Sequence, residues 1–154
     1  MTAKNKRRKV ITLCSSASFF RDVLGVEKEL KTLGFEVKIP YTAVKMRKTG
    51  DYRVTTYKTW FNDPKKYNRK TWLTKNHFAK VKTGDAVLVV NKSKNGIDGY
   101  IGGATFGEMV IAFDYKKPIY LLNPISTKLP FFEEVMAMQP IFLNGDITKI
   151  KRLS

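Results

Sequence analysis

The stretch Asp85-Ala86-Val87-Leu88-Val89-Val90 is an unbroken apolar run. It leads into a polar, glycine-rich loop, Asn91 to Gly103, and then a helical pattern over Ala104 to Tyr115. An apolar run this short and this β-branched reads as a strand buried on both faces. Working back, Val10-Ile-Thr-Leu-Cys14 has the same character, and Ser15-Ser16-Ala17-Ser18 after it has the chemistry of a turn and helix N-cap. Phe19 to Leu33 places its apolar residues mostly on one helical face, Gly34 sits where a C-cap glycine belongs, and Phe35 to Pro40 is a second short strand. Working forward, Lys116-Lys117-Pro118 stops the helix and Ile119 to Leu122 is another buried strand. Asn123-Pro124-Ile125 is a turn, Phe131 to Met138 a short helix, Ile141 to Leu143 a last strand, and the basic tail Asp146 to Ser154 a final helical turn. Five short strands with interleaved helices predict an α/β protein: a flavodoxin-like doubly wound parallel sheet, forming a single domain over 1–154. In such a sheet the ligand lies beyond the carboxyl ends of the strands, at the switch point. Here those ends carry Cys14 to Ser18, Asn91 to Gly103 and Asn123 to Ile125, so the glycine-rich loop and Glu108 fall near one crevice.

One segment breaks the rhythm. The insertion after the second strand, about 41–84, is basic and aromatic: from Glu36 to Lys82 there are 13 Lys or Arg against 3 acids. It carries Tyr41, Tyr52, Tyr57, Trp60, Phe61, Tyr67, Trp72 and Phe78. A helix is expected from about Pro64 to Val81, with Tyr67, Leu73, His77, Phe78 and Val81 inward. The part up to Asp63 reads as a long loop or short extra elements. A structureless loop of that length is unusual unless it is functional. As a substrate lid it would stack aromatics on a base and turn lysines to phosphate. As a nucleic-acid surface it would track a phosphate backbone while stacking exposed bases. As plain structure it would pack its aromatics beneath the loop or against another subunit.

Composition bounds the rest. The chain has 154 residues, 43% hydrophobic and 12% aromatic, which excludes global disorder. Its net charge of +16 favours anionic partners: nucleotides, nucleic acid or acidic membrane surfaces. One cysteine, Cys14, excludes an internal disulfide, and with a single histidine, His77, a Cys- or His-based metal site is not expected. No apolar run approaches the ~20 residues of a membrane span. Val10 to Cys14 is too short for a signal-peptide core. The reading is a soluble cytoplasmic protein with no membrane partner.

The segment Gly99-Tyr-Ile-Gly-Gly-Ala-Thr-Phe-Gly-Glu108 concentrates the chemistry. Its glycines let a backbone approach a ligand, and the first amides of the helix suit an anion. Glu108 would lie in the first turn or so, as a nucleophile, a base or a ribose acceptor; equally, it reads as a first-turn glutamate favoured by the helix dipole. Cys14 reads as a small buried hydrophobe with no histidine partner evident in the pattern.

Asp85-Ala-Val-Leu-Val-Val, the glycine-rich loop, Gly107-Glu108-Met-Val-Ile-Ala112 and Lys117-Pro118-Ile-Tyr-Leu-Leu122, taken in order, resemble the nucleoside 2-deoxyribosyltransferase-like family, which includes the related nucleoside 5′-monophosphate N-glycosidases. The likeness covers about Val10 to Leu33 and Asn76 to Asn123; Tyr41 to Asn62 has no counterpart. It implies a flavodoxin-like fold and cleavage or transfer at an N-glycosidic bond, with Glu108 as the nucleophile that forms a glycosyl–enzyme ester. It implies no metal or organic cofactor, and a homo-oligomer, dimer or larger. It turns Ser15, Ser16 and Ser18 toward the sugar or its 5′ end, where hydroxyls suit a 5′-phosphate, and makes Asn91, Gly102, Gly103 and Thr105 substrate-facing. The chain departs from the family where Gly102 and His77 stand in place of acids. Asp98 is the nearest loop acid that could substitute, and His77 is a candidate to protonate the departing base, or else a structural helix residue. A rival from another class is a non-catalytic nucleotide- or nucleic-acid-binding module, resting on the charge and the basic aromatic insertion. A Glu108 beside a crevice favours the enzyme; a solvent-exposed Glu108 favours the module.

Overall fold

The computed structural model describes residues 7–152; Met1 to Lys6, Leu153 and Ser154 lie outside them. Five parallel strands form one sheet: β1 (Val10–Cys14), β2 (Glu36–Lys38), β3 (Ala86–Val89), β4 (Ile119–Leu121) and β5 (Ile141–Phe142), in the order β2-β1-β3-β4-β5. This is the flavodoxin-like order, with its switch point between β1 and β3. Their register pairs Ile11 with Ala86 and Cys14 with Val89, so both strands end level at the carboxyl edge.

The helices are α1 (Phe20–Thr32), α2 (Tyr41–Thr49), α3 (Val54–Tyr57), α4 (Tyr67–Thr83), α5 (Gly103–Asp114) and α6 (Phe132–Ala137). Alternation along the strands sorts the core. Ile11, Leu13, Leu88 and Val90 pack with Phe20, Val23 and Leu30 of α1, with Met46 of α2 and with Ile147 and Ile150 near the end of the chain. Cys14, Val87 and Val89 point to the other face, with Val81 of α4, Met109 and Ala112 of α5 and Val135 of α6. Both faces are covered, as the apolar runs require.

The sequence reading is least specific in the insertion. Of the two forms expected for its first half, a long loop or short extra elements, the structure has the second: short helices. Gly50 ends α2 at φ +74°, and its N–H donates to the Met46 carbonyl at 2.8 Å. The buried Glu27 carboxylate of α1 accepts from Arg47 at 2.6 Å, which ties α2 to α1. Asp51 then organises α3: it accepts from the Arg53 amide and from Thr56 Oγ1, both at 2.9 Å, and its backbone carbonyl accepts from Tyr57 OH at 2.8 Å. The Arg53 hydrogen bonds hold the Asp51 carboxyl well below the usual carboxylate range. The helix expected from Pro64 begins as a 3-10 turn at Pro64–Lys66 and becomes α4 at Tyr67. His77 and Val81 are buried as expected, whereas Tyr67 is 50% exposed. At the chain end the turn is 3-10, Ile147–Arg152. No helix among the described residues is long and apolar enough to cross a membrane.

Candidate functional site

A cavity of ≈ 480 Å³ opens at the carboxyl edge of β1 and β3, within the range of small-molecule sites, roughly 300–1,000 Å³. Several parts of the chain build it, the glycine-rich loop (Lys94, Tyr100) and α2 (Tyr41, Met46) among them. Ser15 and Ser16 come from the turn after β1, and Gly102, Gly103, Thr105 and Glu108 from the start of α5. Lys70, Thr74 and His77 come from α4, and Tyr57, Lys58 and Trp60 from the insertion. Neither Gly102 nor Gly103 has a positive φ, so the backbone does not demand glycine there. A Cβ at Gly103 would meet nothing within 4 Å, so the missing side chain leaves open space at the cavity wall. The glycine the backbone requires is Gly99: φ is +66°, and a Cβ would stand 2.1 Å from the Pro124 carbonyl oxygen.

Because α5 begins at Gly103, Glu108 lies in its second turn, and there is no acid in the first. The reading of Glu108 as a dipole-favoured first-turn residue therefore fails. Its side chain is buried at 9% exposure against the cavity wall. Burial pushes its carboxyl up to about 8, against a hydrogen bond from Cys14 and the charge of Lys70, which both favour ionisation.

His77 stands beside it. His77 Nε2 is 2.9 Å from the Leu13 carbonyl oxygen, 3.5 Å from Cys14 Sγ and 4.0 Å from Glu108 Oε1. A carbonyl only accepts, so Nε2 carries the proton and donates to Leu13. Among the described residues the buried Nδ1 is then without a partner. Burial, then the charge of Lys80, lowers the imidazole to about 4, against the Leu13 bond that favours the cation. At neutral pH both His77 and Glu108 are therefore largely uncharged, and their 4.0 Å approach is not an ion pair. This corrects the expectation that His77 supplies a proton near neutral pH. Its imidazole does not titrate there, and its one N–H is held by Leu13.

The sequence pattern shows no histidine partner for Cys14, and the fold supplies one. The thiol is nevertheless pushed well above its usual value, by burial first and then by Glu108, so a thiolate is disfavoured. The metal-ligating atoms of Cys14, His77 and Glu108 all lie within 4.8 Å of one another, a cluster the residue counts did not suggest. As folded, however, thiol and carboxyl are held protonated and Nε2–H is committed to a carbonyl. This donor set is not prepared for an ion.

The remaining candidates divide. Ser15 and Ser16 line the cavity, whereas Ser18 is exposed outside it. Neither hydroxyl caps the helix: Ser15 Oγ donates to the Ser16 carbonyl at 2.9 Å, and Ser16 Oγ accepts from Lys94 Nζ at 3.3 Å. Thr105 is 1% exposed at the cavity, and its Oγ1 has no partner among the described residues. Asp98 is exposed, bonds Ser93 and does not line the cavity, so it is not placed to replace the missing acid.

Asn91 is also away from the cavity wall. It is fully buried and braces two strand ends: its Nδ2 donates to the Asn123 carbonyl at 2.8 Å, and its Oδ1 accepts from the Asn123 amide at 2.9 Å. Asn123 Nδ2 returns a bond to the Asn91 carbonyl at 3.0 Å. Asn91→Ala leaves the part-buried backbone amide and carbonyl of Asn123 without their side-chain partner. A loss of about 2–4 kcal/mol in urea unfolding is expected. A change within about 0.5 kcal/mol, the range of ordinary surface substitutions, would dismiss the brace.

No family model matches the chain, and no curated protein matches it in sequence. Among solved structures, the 2-deoxyribosyltransferase of Bacillus psychrosaccharolyticus shares its fold with a TM-score of 0.57 at 17% identity. The match covers 93% of this chain and 90% of that one, so the likeness extends over the whole α/β domain rather than one motif.

Proposed function

We propose that the protein is an enzyme that cleaves or transfers at the N-glycosidic bond of a nucleoside or nucleoside 5′-monophosphate, with Glu108 as the nucleophile. The observation that carries this reading is a buried glutamate on the wall of a ligand-sized cavity at the β1–β3 switch point. The fold shared with a 2-deoxyribosyltransferase supports it. In the first step a Glu108 oxygen bonds to the anomeric carbon, the C–N bond breaks, and its electron pair leaves with the base. Water or a second base then takes the sugar and restores the carboxylate, and the proton that this acceptor gives up goes to the departed base anion. A carboxylate suits this chemistry because the transition state is oxocarbenium-like, and a negative charge beside the anomeric carbon stabilises it. Self-association is part of the proposal: α5 exposes Val110 and Phe113, at 42% and 54%. The test is a panel of nucleosides and 5′-monophosphates, followed by chromatography for released base with and without an acceptor base. Absence of release across the panel overturns the reading.

The rival binding module draws support from Trp72, 44% exposed and edge-on to Tyr41 with centroids 4.9 Å apart, with Arg69 over both rings. Trp60, by contrast, lines the cavity at 6% exposure. The two tryptophans therefore report on different partners. In a Trp72→Phe variant the remaining emission comes from Trp60, and a mononucleotide is expected to quench it saturably. If only oligonucleotides respond, through Trp72, with a steep loss on adding salt, the insertion is a nucleic-acid surface instead.

A further inference from the structure

Three lysines converge on the cavity without an anion to balance them. Lys58 and Lys70 come from the insertion, and Lys94 comes from the glycine-rich loop. Lys94 Nζ lies 3.3 Å from Ser16 Oγ and 5.2 Å from the Tyr100 ring centroid. Lys70 Nζ lies 5.5 Å from the centroid of Trp60, and Lys58 Nζ 5.4 Å from that of Phe61. Among the described residues, none of the three forms an ion pair. Among the described residues the only acid on the cavity wall is Glu108, which burial keeps largely protonated at neutral pH. Lys58 shows the strain: burial, then the charges of Lys70 and Lys94, pull its ammonium below the usual range. Like charges gathered in a concave site, unrelieved by the protein itself, are relieved by an anionic ligand.

Resting on the N-glycosidic reading above, we propose that the substrate is a phosphorylated nucleoside whose phosphate is held by Lys58, Lys70 and Lys94, with its sugar toward Glu108. A phosphate monoester carries about −1.5 to −2 charges at neutral pH and three strong acceptor oxygens, so each ammonium can donate to an oxygen. Ser15 and Ser16, freed from capping, stand on the same wall. The ≈ 480 Å³ enclosure suits a mononucleotide rather than a continuous strand. The insertion thereby acquires a role that neither the α/β core nor the glycine-rich loop supplies alone: it brings two of the three charges.

The test measures affinity by calorimetry in Glu108→Gln protein, which binds without turnover. Matched nucleoside, 5′-monophosphate and 5′-diphosphate are compared at low and high salt. The monophosphate is expected to bind ~10–100-fold more tightly than the nucleoside, as charge-assisted hydrogen bonds allow, and the advantage shrinks in high salt. Lys58→Met and Lys94→Met each cut the ratio of the two affinities several-fold. Lys94→Arg keeps most of it, and Lys75→Met, an exposed site on the same helix as Lys70, leaves it intact. A ratio near one in the parent protein, or a ratio indifferent to both lysine substitutions, overturns the phosphate subsite. If the nucleoside still binds and Glu108-containing protein still releases base, that failure touches the subsite alone. If no nucleoside or nucleotide binds at all, the N-glycosidic reading fails with it.

Discussion

Glu108→Gln lowers turnover on the best nucleoside or nucleotide by on the order of a thousandfold or more and leaves the fold in place. Gln fills the same volume but has no electron pair to offer the anomeric carbon as a carboxylate does. The variant also separates catalysis from stability, because the two move in opposite directions. The folded carboxyl titrates at about 8 against 4.5 for the free group, with burial the main cause. Its contribution to stability is therefore fully present below about 4.5 and is lost as pH rises through about 8. A glutamine does not titrate and loses nothing. Melting temperatures of parent and variant are thus expected to move apart between about pH 4.5 and 8, the parent losing stability relative to the variant, and to run parallel above that. Near-normal turnover in Glu108→Gln removes the nucleophile from the mechanism. Lost turnover together with collapse of the fold at every pH would make Glu108 a structural residue.

Much of this architecture was legible in the chain. Val10–Cys14 and Ala86–Val89 read as strands because each is short, apolar and buried on both sides of the sheet. The crevice followed from topology, since those strands end in the serine turn and the glycine-rich loop. The first half of the insertion was not legible. Helix α2, Tyr41-Thr-Ala-Val-Lys-Met-Arg-Lys-Thr49, buries only Ala43 and Met46 and has no side-chain N-cap. Its one clear sequence signal is Gly50 at the C-terminus. The Asp51 network joins residues within a few positions of each other, yet each of its bonds also fits an open loop. The meeting of Cys14, His77 and Glu108 lies beyond local pattern altogether. It depends on the rotation of α4, on α5 beginning at Gly103 rather than nearer Glu108, and on the register of β1 with β3. Asn91 misled for a related reason. A polar residue at a strand end suggests a ligand, but its bonds are spent on Asn123, a partner 32 positions away.

The rate kcat/KM is expected to climb about tenfold per pH unit from pH 5 and to level off above about 8, a span on the order of a thousandfold. The free enzyme must ionise Glu108 before it can attack, and its carboxyl titrates at about 8. His77, at about 4, adds no limb in this window. A rise centred near pH 6.5 would return the imidazole to the mechanism, and a flat profile from pH 6 to 9 would remove Glu108. Stability supplies an independent reading of the same two groups. The neutral imidazole contributes stability above its free value of 6.5 that is lost as pH falls toward 4, whereas the Glu108 contribution is lost as pH rises from 4.5 through 8. Between 4.5 and 6.5 the unfolded chain carries a charged histidine and a charged glutamate, and the folded chain carries both neutral. The proton count is equal, so the pair leaves stability flat there. Above 6.5 only Glu108 still differs, and on the order of 2 kcal/mol is lost by pH 8. Urea unfolding across pH 5 to 8 should show that bend, and His77→Gln should replace the flat region with a steady decline beginning near pH 4.5. A parent protein whose stability stays flat from pH 6.5 to 8 would mean that Glu108 is ionised in the folded state.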